Sequence, residues 1–247
     1  MRLRLALVAL LIAFAGEALA SEEAETLTIM YQEMVPFIEK GPDGEVRGPV
    51  VERVGAIAAA AGLRLQWVGS VPRSRIMAEM EAGRPACMAN ARKTPERERL
   101  FKFSQPIFKA PDYRVFLRKD AADRHQTLAD LLNDLELIFG VLLGVSLGPE
   151  LDALLKEQTS NLMVTRGSMV DLVRLLHAGR IDYIIVDALD YQIAAAHEGV
   201  PPAETAARVF PDLPRAEPGR IMCAQTVPDD VIVRLDRAIS PGSAKSS

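Results

Sequence analysis

The chain has 247 residues, 49% of them hydrophobic and 25% charged, with a formal net charge of −4. That length holds one large domain or two ordinary ones, and that composition excludes wholesale disorder. The acidic balance argues against nucleic acid as a partner, because that role needs a basic face to displace counterions.

In chain order, Arg2 and Arg4 form a basic start, Leu5 to Ala15 an apolar run, and Ala18-Leu19-Ala20 a small-residue cleavage site. This is the pattern of a signal peptide over residues 1–20, and it predicts export to the periplasm with cleavage near Ala20. No cysteine follows that site to accept a lipid, and no other uninterrupted run of about 20 apolar residues exists to span a membrane. The expected product is soluble and not lipid-anchored.

Leu27 to Tyr31 reads as a strand, and Gly41-Pro42-Asp43-Gly44 as a turn. Val50, Val51, Val54, Ile57, Ala58 and Ala61 mark one helical face, which Gly62 stops before a strand from Leu63 to Val68. Ser74 is placed to cap a helix running to Ala82, and Ala86 to Ala91 forms a short third strand. Thr94-Pro95 has the form of an N-cap followed by proline at the first helical position, where no amide hydrogen is missed.

After a strand over Tyr113 to Arg118 the same alternation repeats. It predicts a helix over Thr127 to Asn133, a strand over Leu137 to Leu143, and a helix over Pro149 to Lys156. A strand over Leu162 to Thr165, a helix from Met169 capped by Ser168, and a strand over Ile181 to Asp187 follow. A late strand over Arg220 to Gln225 and a helix around Val231 to Ile239 close the pattern, before the polar tail Pro241 to Ser247. Near-continuous apolar strands between helices indicate sheets covered on both faces. The expected class is α/β, with two similar lobes in place of one large sheet.

Three groups of residues could carry chemistry. Gly144-Val145-Ser146-Leu147-Gly148 is a literal G-x-S-x-G between a strand and a helix, the setting of a hydrolase nucleophile. Such a serine needs a downstream histidine. His177 and His197 fall on predicted helices, and His125 precedes the serine in the wrong order. A glycine-rich turn at that place also serves to present amides to an anion, or merely to turn the chain. The second group is Asn90 to Arg99, where Arg97 sits in the first turn after a strand end, able to form a bidentate pair with a carboxylate. The third is Asp187, an acid at the carboxyl end of an apolar strand, where open α/β sheets place ligand contacts. A cap for the following helix is its other reading. Cys87 and Cys223 form no metal-like pair; an oxidising compartment permits a disulfide between them, and two buried free thiols are the alternative.

Taken together, Pro36-Phe37, Gly48 before a helix, Thr94-Pro95-Glu96-Arg97 and Phe103-Ser104-Gln105-Pro106 resemble the extracellular solute-binding proteins of family 3, which have the type II periplasmic-binding-protein fold. Gly140-Val141, Gly148-Pro149-Glu150 and Gly179-Arg180-Ile181-Asp182-Tyr183 are similar to the second lobe of that pattern. The resemblance runs from Leu27 to Ile239 and implies two α/β lobes joined by two crossing strands, near Tyr113 to Arg118 and Gly219 to Cys223. Residues 21–113 plus 219–247 would form the first lobe and residues 114–218 the second, with the ligand in the cleft between them. Residue by residue, Arg97 matches the arginine that holds a ligand α-carboxylate and Asp187 the acid that receives its α-ammonium. Asn90 and Arg92 match the pocket positions before that arginine, and Leu143 to Ser146, with Gly144, match the second-lobe loop on the carboxylate side. Tyr31 stands where many amino-acid receptors carry an acid, Arg92 where a small hydroxyl is usual, and Met34 and Pro72 where aromatic residues are frequent. This marks a divergent branch.

The implied function is capture of an amino acid or related carboxylate for an ABC-type uptake transporter, by a monomer that meets a membrane permease and needs no cofactor or metal. It implies a binding protein and no enzyme. Two alternatives stay open: an enzyme on the same fold, either a dehydratase or the G-x-S-x-G serine hydrolase, and a ligand-sensing domain that docks to a membrane receptor.

Overall fold

The computed structural model describes residues 24–119, 124–157, 161–201 and 205–239. The expected signal peptide and the tail from Pro241 lie outside these residues. Among the described residues no helix is long and apolar enough to cross a membrane.

The first sheet is built from β1 (Thr26–Met30), β4 (Arg64–Val68), β5 (Cys87–Arg92), β6 (Phe101–Pro106) and β12 (Gly219–Ala224), in the order β4-β1-β5-β12-β6. β1 runs parallel to β4 and β5, while β12 lies antiparallel between β5 and β6. Helices α1 (Pro49–Ala60) and α2 (Arg73–Glu81) make the crossovers β1→β4 and β4→β5. The Gly41–Gly44 turn joins a small hairpin, β2 (Glu39–Lys40) and β3 (Val46–Arg47), ahead of α1.

The second sheet repeats the arrangement with β7 (Tyr113–Arg118), β8 (Ile138–Leu142), β9 (Asn161–Thr165), β10 (Tyr183–Asp187) and β11 (Thr205–Arg208). Its order is β11-β7-β10-β8-β9, with β8 parallel to β9 and β10, and β7 antiparallel between β10 and β11. Helices α5 (Pro149–Glu157) and α6 (Met169–His177) are its crossovers. Helices α3 (Pro95–Leu100), α4 (Leu128–Leu132), α7 (Ala188–Glu198) and α8 (Asp229–Ile239) complete the set. The chain passes between the sheets over residues 107–112 and 209–218, just before β7 and β12, the strands expected at the crossing.

Two of the family-like motifs prove to be structural. Ser104, in the F-S-x-P block, is buried, and its Oγ accepts from Ile221 N at 3.0 Å, bridging β6 to β12 where their register shifts. Asp182, in the G-R-I-D-Y run, accepts from Ile138 N at 2.8 Å and so anchors the start of β8. Thr127 and Ser168 both make capping boxes, with Asp130 and Asp171. Ser74 does not cap. α2 begins two residues earlier than that cap implies, with Pro72 at the cap position, and its first amide, Arg73 N, donates to Gln32 Oε1 at 2.8 Å, an acceptor distant in sequence.

Of the two readings of the cysteines, the disulfide is the one formed. Cys87 and Cys223 are direct cross-strand partners on β5 and β12, closing a loop of 136 residues. No other described residue contributes a free thiol.

A candidate ligand-binding cleft

The first lobe presents arginines. Asn90, near the end of β5, has φ +54°, a left-handed conformation that asparagine tolerates better than most residues. It coincides with the bulge at which β12 changes register, and bulges re-aim the side chains beside them. Gly219 lies against it: a Cβ there would sit 1.8 Å from Asn90 Oδ1 and would displace the Asn90 side chain. Past the bulge, the Arg92 guanidinium lies 6.0 Å from the centre of the Tyr113 ring. Thr94 then caps α3 by accepting from Arg97 N at 3.3 Å, which fixes Arg97 in the first turn. Arg97 Nη1 donates to Arg92 O at 3.1 Å, tying the two residues together. Burial lowers the Arg97 pKa, against the opposing pull of Asp152 and Glu96.

A third guanidinium joins them. Arg73, at the start of α2, keeps some surface in the cleft, but its charged head is enclosed. Its acceptors are two thioethers, Met34 Sδ at 3.4 Å and Met88 Sδ at 3.9 Å, and its Nε is buried with no acceptor at all. Sulfur is a weak acceptor, so this cation is poorly compensated. Burial first, then the charges of Arg97 and Arg92, push its pKa down to about 10. Among the described residues none of Arg73, Arg92 and Arg97 has a carboxylate within ion-pair distance.

The second lobe presents acids. Asp187 ends β10 and caps α7: Oδ1 accepts from Leu189 N at 2.8 Å and Asp190 N at 3.2 Å, while Oδ2 accepts from Asp112 N at 2.6 Å. Both oxygens are thus held by backbone amides. Asp190, one turn further on, has no such partners. Burial first, then the nearby charge of Asp187, raise its pKa to about 6, with Arg92 acting the other way. Asp152, on α5, accepts from the Ser146 hydroxyl at 2.5 Å and from Leu147 N at 2.8 Å.

These side chains line two adjoining cavities between the sheets. The smaller, about 70 Å³, is bounded by Arg73, Arg92 and Arg97 on one side and by Ser146, Asp187 and Asp190 on the other, with Met34 and Tyr113. The larger, about 800 Å³, shares Asn90, Arg92, Asp187 and Asp190 and extends towards Phe37, Phe108 and Leu189 beside the first passage between lobes. Its lining is mostly apolar.

The structure brings Arg97, Arg92, Asn90, Asp187 and Ser146 to one cavity. Gly144 (φ +72°) does not line it but faces the Arg73 side chain across the cleft, at 3.7 Å from its nearest carbon for an added Cβ. Tyr31 lies elsewhere: it is buried in the first lobe against Trp67, with ring centroids 5.9 Å apart, and lines neither cavity. Ser146 is no primed nucleophile, because its hydroxyl is spent on Asp152 while His125 and His177 are engaged with Asp134 and Tyr191. Sequence reasoning missed Arg73 and Asp190. The signal for Asp190 was its place one turn after Asp187; the run Val71-Pro72-Arg73 offered none.

Two mixed α/β lobes with a charged cleft between them define the class of two-lobed solute-binding proteins. The model of the bacterial extracellular solute-binding proteins, family 3, matches residues 27–168, and the chain belongs to that family. Solved structures of the same fold include an ancestral arginine-binding protein bound to arginine, 19% identical over 88% of this chain and 94% of that one, with a TM-score of 0.68. Another is an amino acid ABC transporter substrate-binding protein from Streptococcus pneumoniae bound to L-arginine, 20% identical over 88% and 90%, TM-score 0.67. A third is an ancestral amino acid-binding protein described as a precursor of cyclohexadienyl dehydratase, 20% identical over 88% and 91%, TM-score 0.66. No curated protein sequence matches the chain.

Proposed function

We propose that this protein is a periplasmic receptor that closes its two lobes over an amino acid or related small carboxylate and delivers it to the permease of an ABC-type uptake transporter. The observation that carries this reading is the polarity of the cleft. Arginines on the first lobe face acids on the second across a cavity of about 70 Å³, with no ion pair between them among the described residues. A zwitterion bridges such walls: its carboxylate meets Arg97, and its ammonium meets the acids at the start of α7. Asp190 is the better ammonium partner, since the Asp187 oxygens already serve three amides. Closure is then favoured because only the closed state completes both sets of contacts.

A second reading, turnover in the same cleft, is favoured by one feature. A carboxyl with a pKa of about 6 is suited to general acid work near neutrality. A thermal-shift panel of amino acids, polyamines and small carboxylates tests both. A ligand present at 100 times its Kd stabilises by about 2.7 kcal/mol. Stabilisation with the solute recovered unchanged supports the receptor; conversion of the solute selects the enzyme, and a panel with no stabilising member rejects the receptor.

A further inference from the structure

The receptor reading asks for one carboxylate, and Arg97 alone would answer it. The first lobe supplies three guanidinium groups. Arg92 is partly accommodated by the Tyr113 ring, and Arg97 by the Arg92 carbonyl. Arg73 has two sulfur atoms and an unpartnered Nε. Enclosing a cation beside two others, without an anion, is costly in the free protein and is relieved when an anion arrives. Asp152 and Asp187 are held by hydroxyl and amide donors of their own lobe, and Asp190, the remaining acid of this cavity, is the one assigned to the solute ammonium.

Resting on the receptor reading, we propose that the solute carries two anionic groups, one held by Arg97 and the second by Arg73 and Arg92, which makes it a dicarboxylate of the size of an acidic amino acid. Arg73 is then a specificity-determining residue. The same three charges disfavour a solute with a guanidinium or ammonium side chain, because like charges would meet in an enclosed cavity. Arginine, which the ancestral arginine-binding protein and the Streptococcus pneumoniae protein hold, is therefore the wrong ligand for this cleft.

Calorimetry on the purified protein tests this with L-glutamate, L-aspartate, L-glutamine and L-arginine. The expected result is that L-glutamate or L-aspartate binds at least 30-fold more tightly than L-glutamine, and that L-arginine binds more weakly still. In Arg73→Met the acidic ligand's affinity falls to within threefold of L-glutamine's, while L-glutamine itself changes less than threefold. The melting temperature of free Arg73→Met, equal to or above that of the parent, certifies that the variant folds. Binding of L-glutamine or L-arginine as tightly as L-glutamate overturns the dicarboxylate and leaves the receptor standing. If no amino acid or dicarboxylate binds, the receptor reading fails along with it.

Discussion

The two lobes share one plan and differ in what they do with it. Each sheet places a strand arriving from the other lobe beside the last of three parallel strands: β12 beside β5, and β7 beside β10. In the first lobe this junction is locked by the Cys87–Cys223 disulfide and ends in arginines. In the second it is held by apolar cross-strand pairs such as Ile185–Val115 and Ile184–Phe116, with Asp187 accepting Asp112 N at the end of the pair. One junction, repeated, thus supplies both walls of the cleft and one charge on each, Arg92 at the end of β5 and Asp187 at the end of β10. A covalent lock braces the wall with like charges crowded on it, and a network of amides braces the wall bearing acids.

Breaking the covalent lock has the largest expected effect. Because the disulfide closes 136 residues, Cys87→Ala with Cys223→Ala costs about 4 kcal/mol of stability. Hydrogen exchange locates the loss: β5 and β12 amides lose protection while β7 and β10 keep theirs. Equal loss in both sheets removes the claimed division of labour. Next is Asp187→Ala, which strands three amides and costs about 2–3 kcal/mol in urea unfolding. That is a stability effect at the second junction, present with no solute added.

Asp190 has the opposite sign. A carboxyl whose folded pKa is raised keeps its proton longer in the folded chain than in the unfolded one. The folded state therefore loses stability as pH rises from about 4 to about 6. Asp190→Asn abolishes that slope and stabilises the free protein at pH 7 by about 2 kcal/mol. Thermal melts from pH 4 to 8 check it, and an unchanged slope in the variant removes Asp190 as its source. The smallest effect belongs to Ser146→Ala: it loses the hydroxyl's bond to Asp152 and its weaker one from Gly148 N, about 1 kcal/mol together, and leaves solute binding within threefold. Covalent labelling of Ser146 by a fluorophosphonate would contradict this.

Most of the fold was legible because apolar runs, caps and glycine stops recur at the intervals that each crossover requires. Thr94, Thr127 and Ser168 act as the caps their sequences announce. The strands that escaped notice are those without an apolar run: β2 and β3 are two residues each, β6 mixes Lys102, Ser104 and Gln105 with aromatics, and β11 is four residues long. In the site, Arg97 and Asp187 were recognisable by their places at strand ends, but what each carboxylate oxygen bonds to is decided by tertiary contacts. Asp112, distant in sequence, takes one Asp187 oxygen and leaves Asp190 as the available acid. Arg73 was hidden for the same reason. Its neighbours Met34, Met88, Arg92 and Arg97 come from three different segments of the chain.

The central claim is that opposite charges on the two lobes meet through a solute. A double-mutant cycle on L-glutamate binding, using Arg97→Ala and Asp190→Asn with calorimetric readout, tests it most directly. Each single change is expected to cost about 2–5 kcal/mol of binding, with parent-like melting behaviour in the absence of solute for Arg97→Ala. Affinity unchanged in both single variants would contradict it.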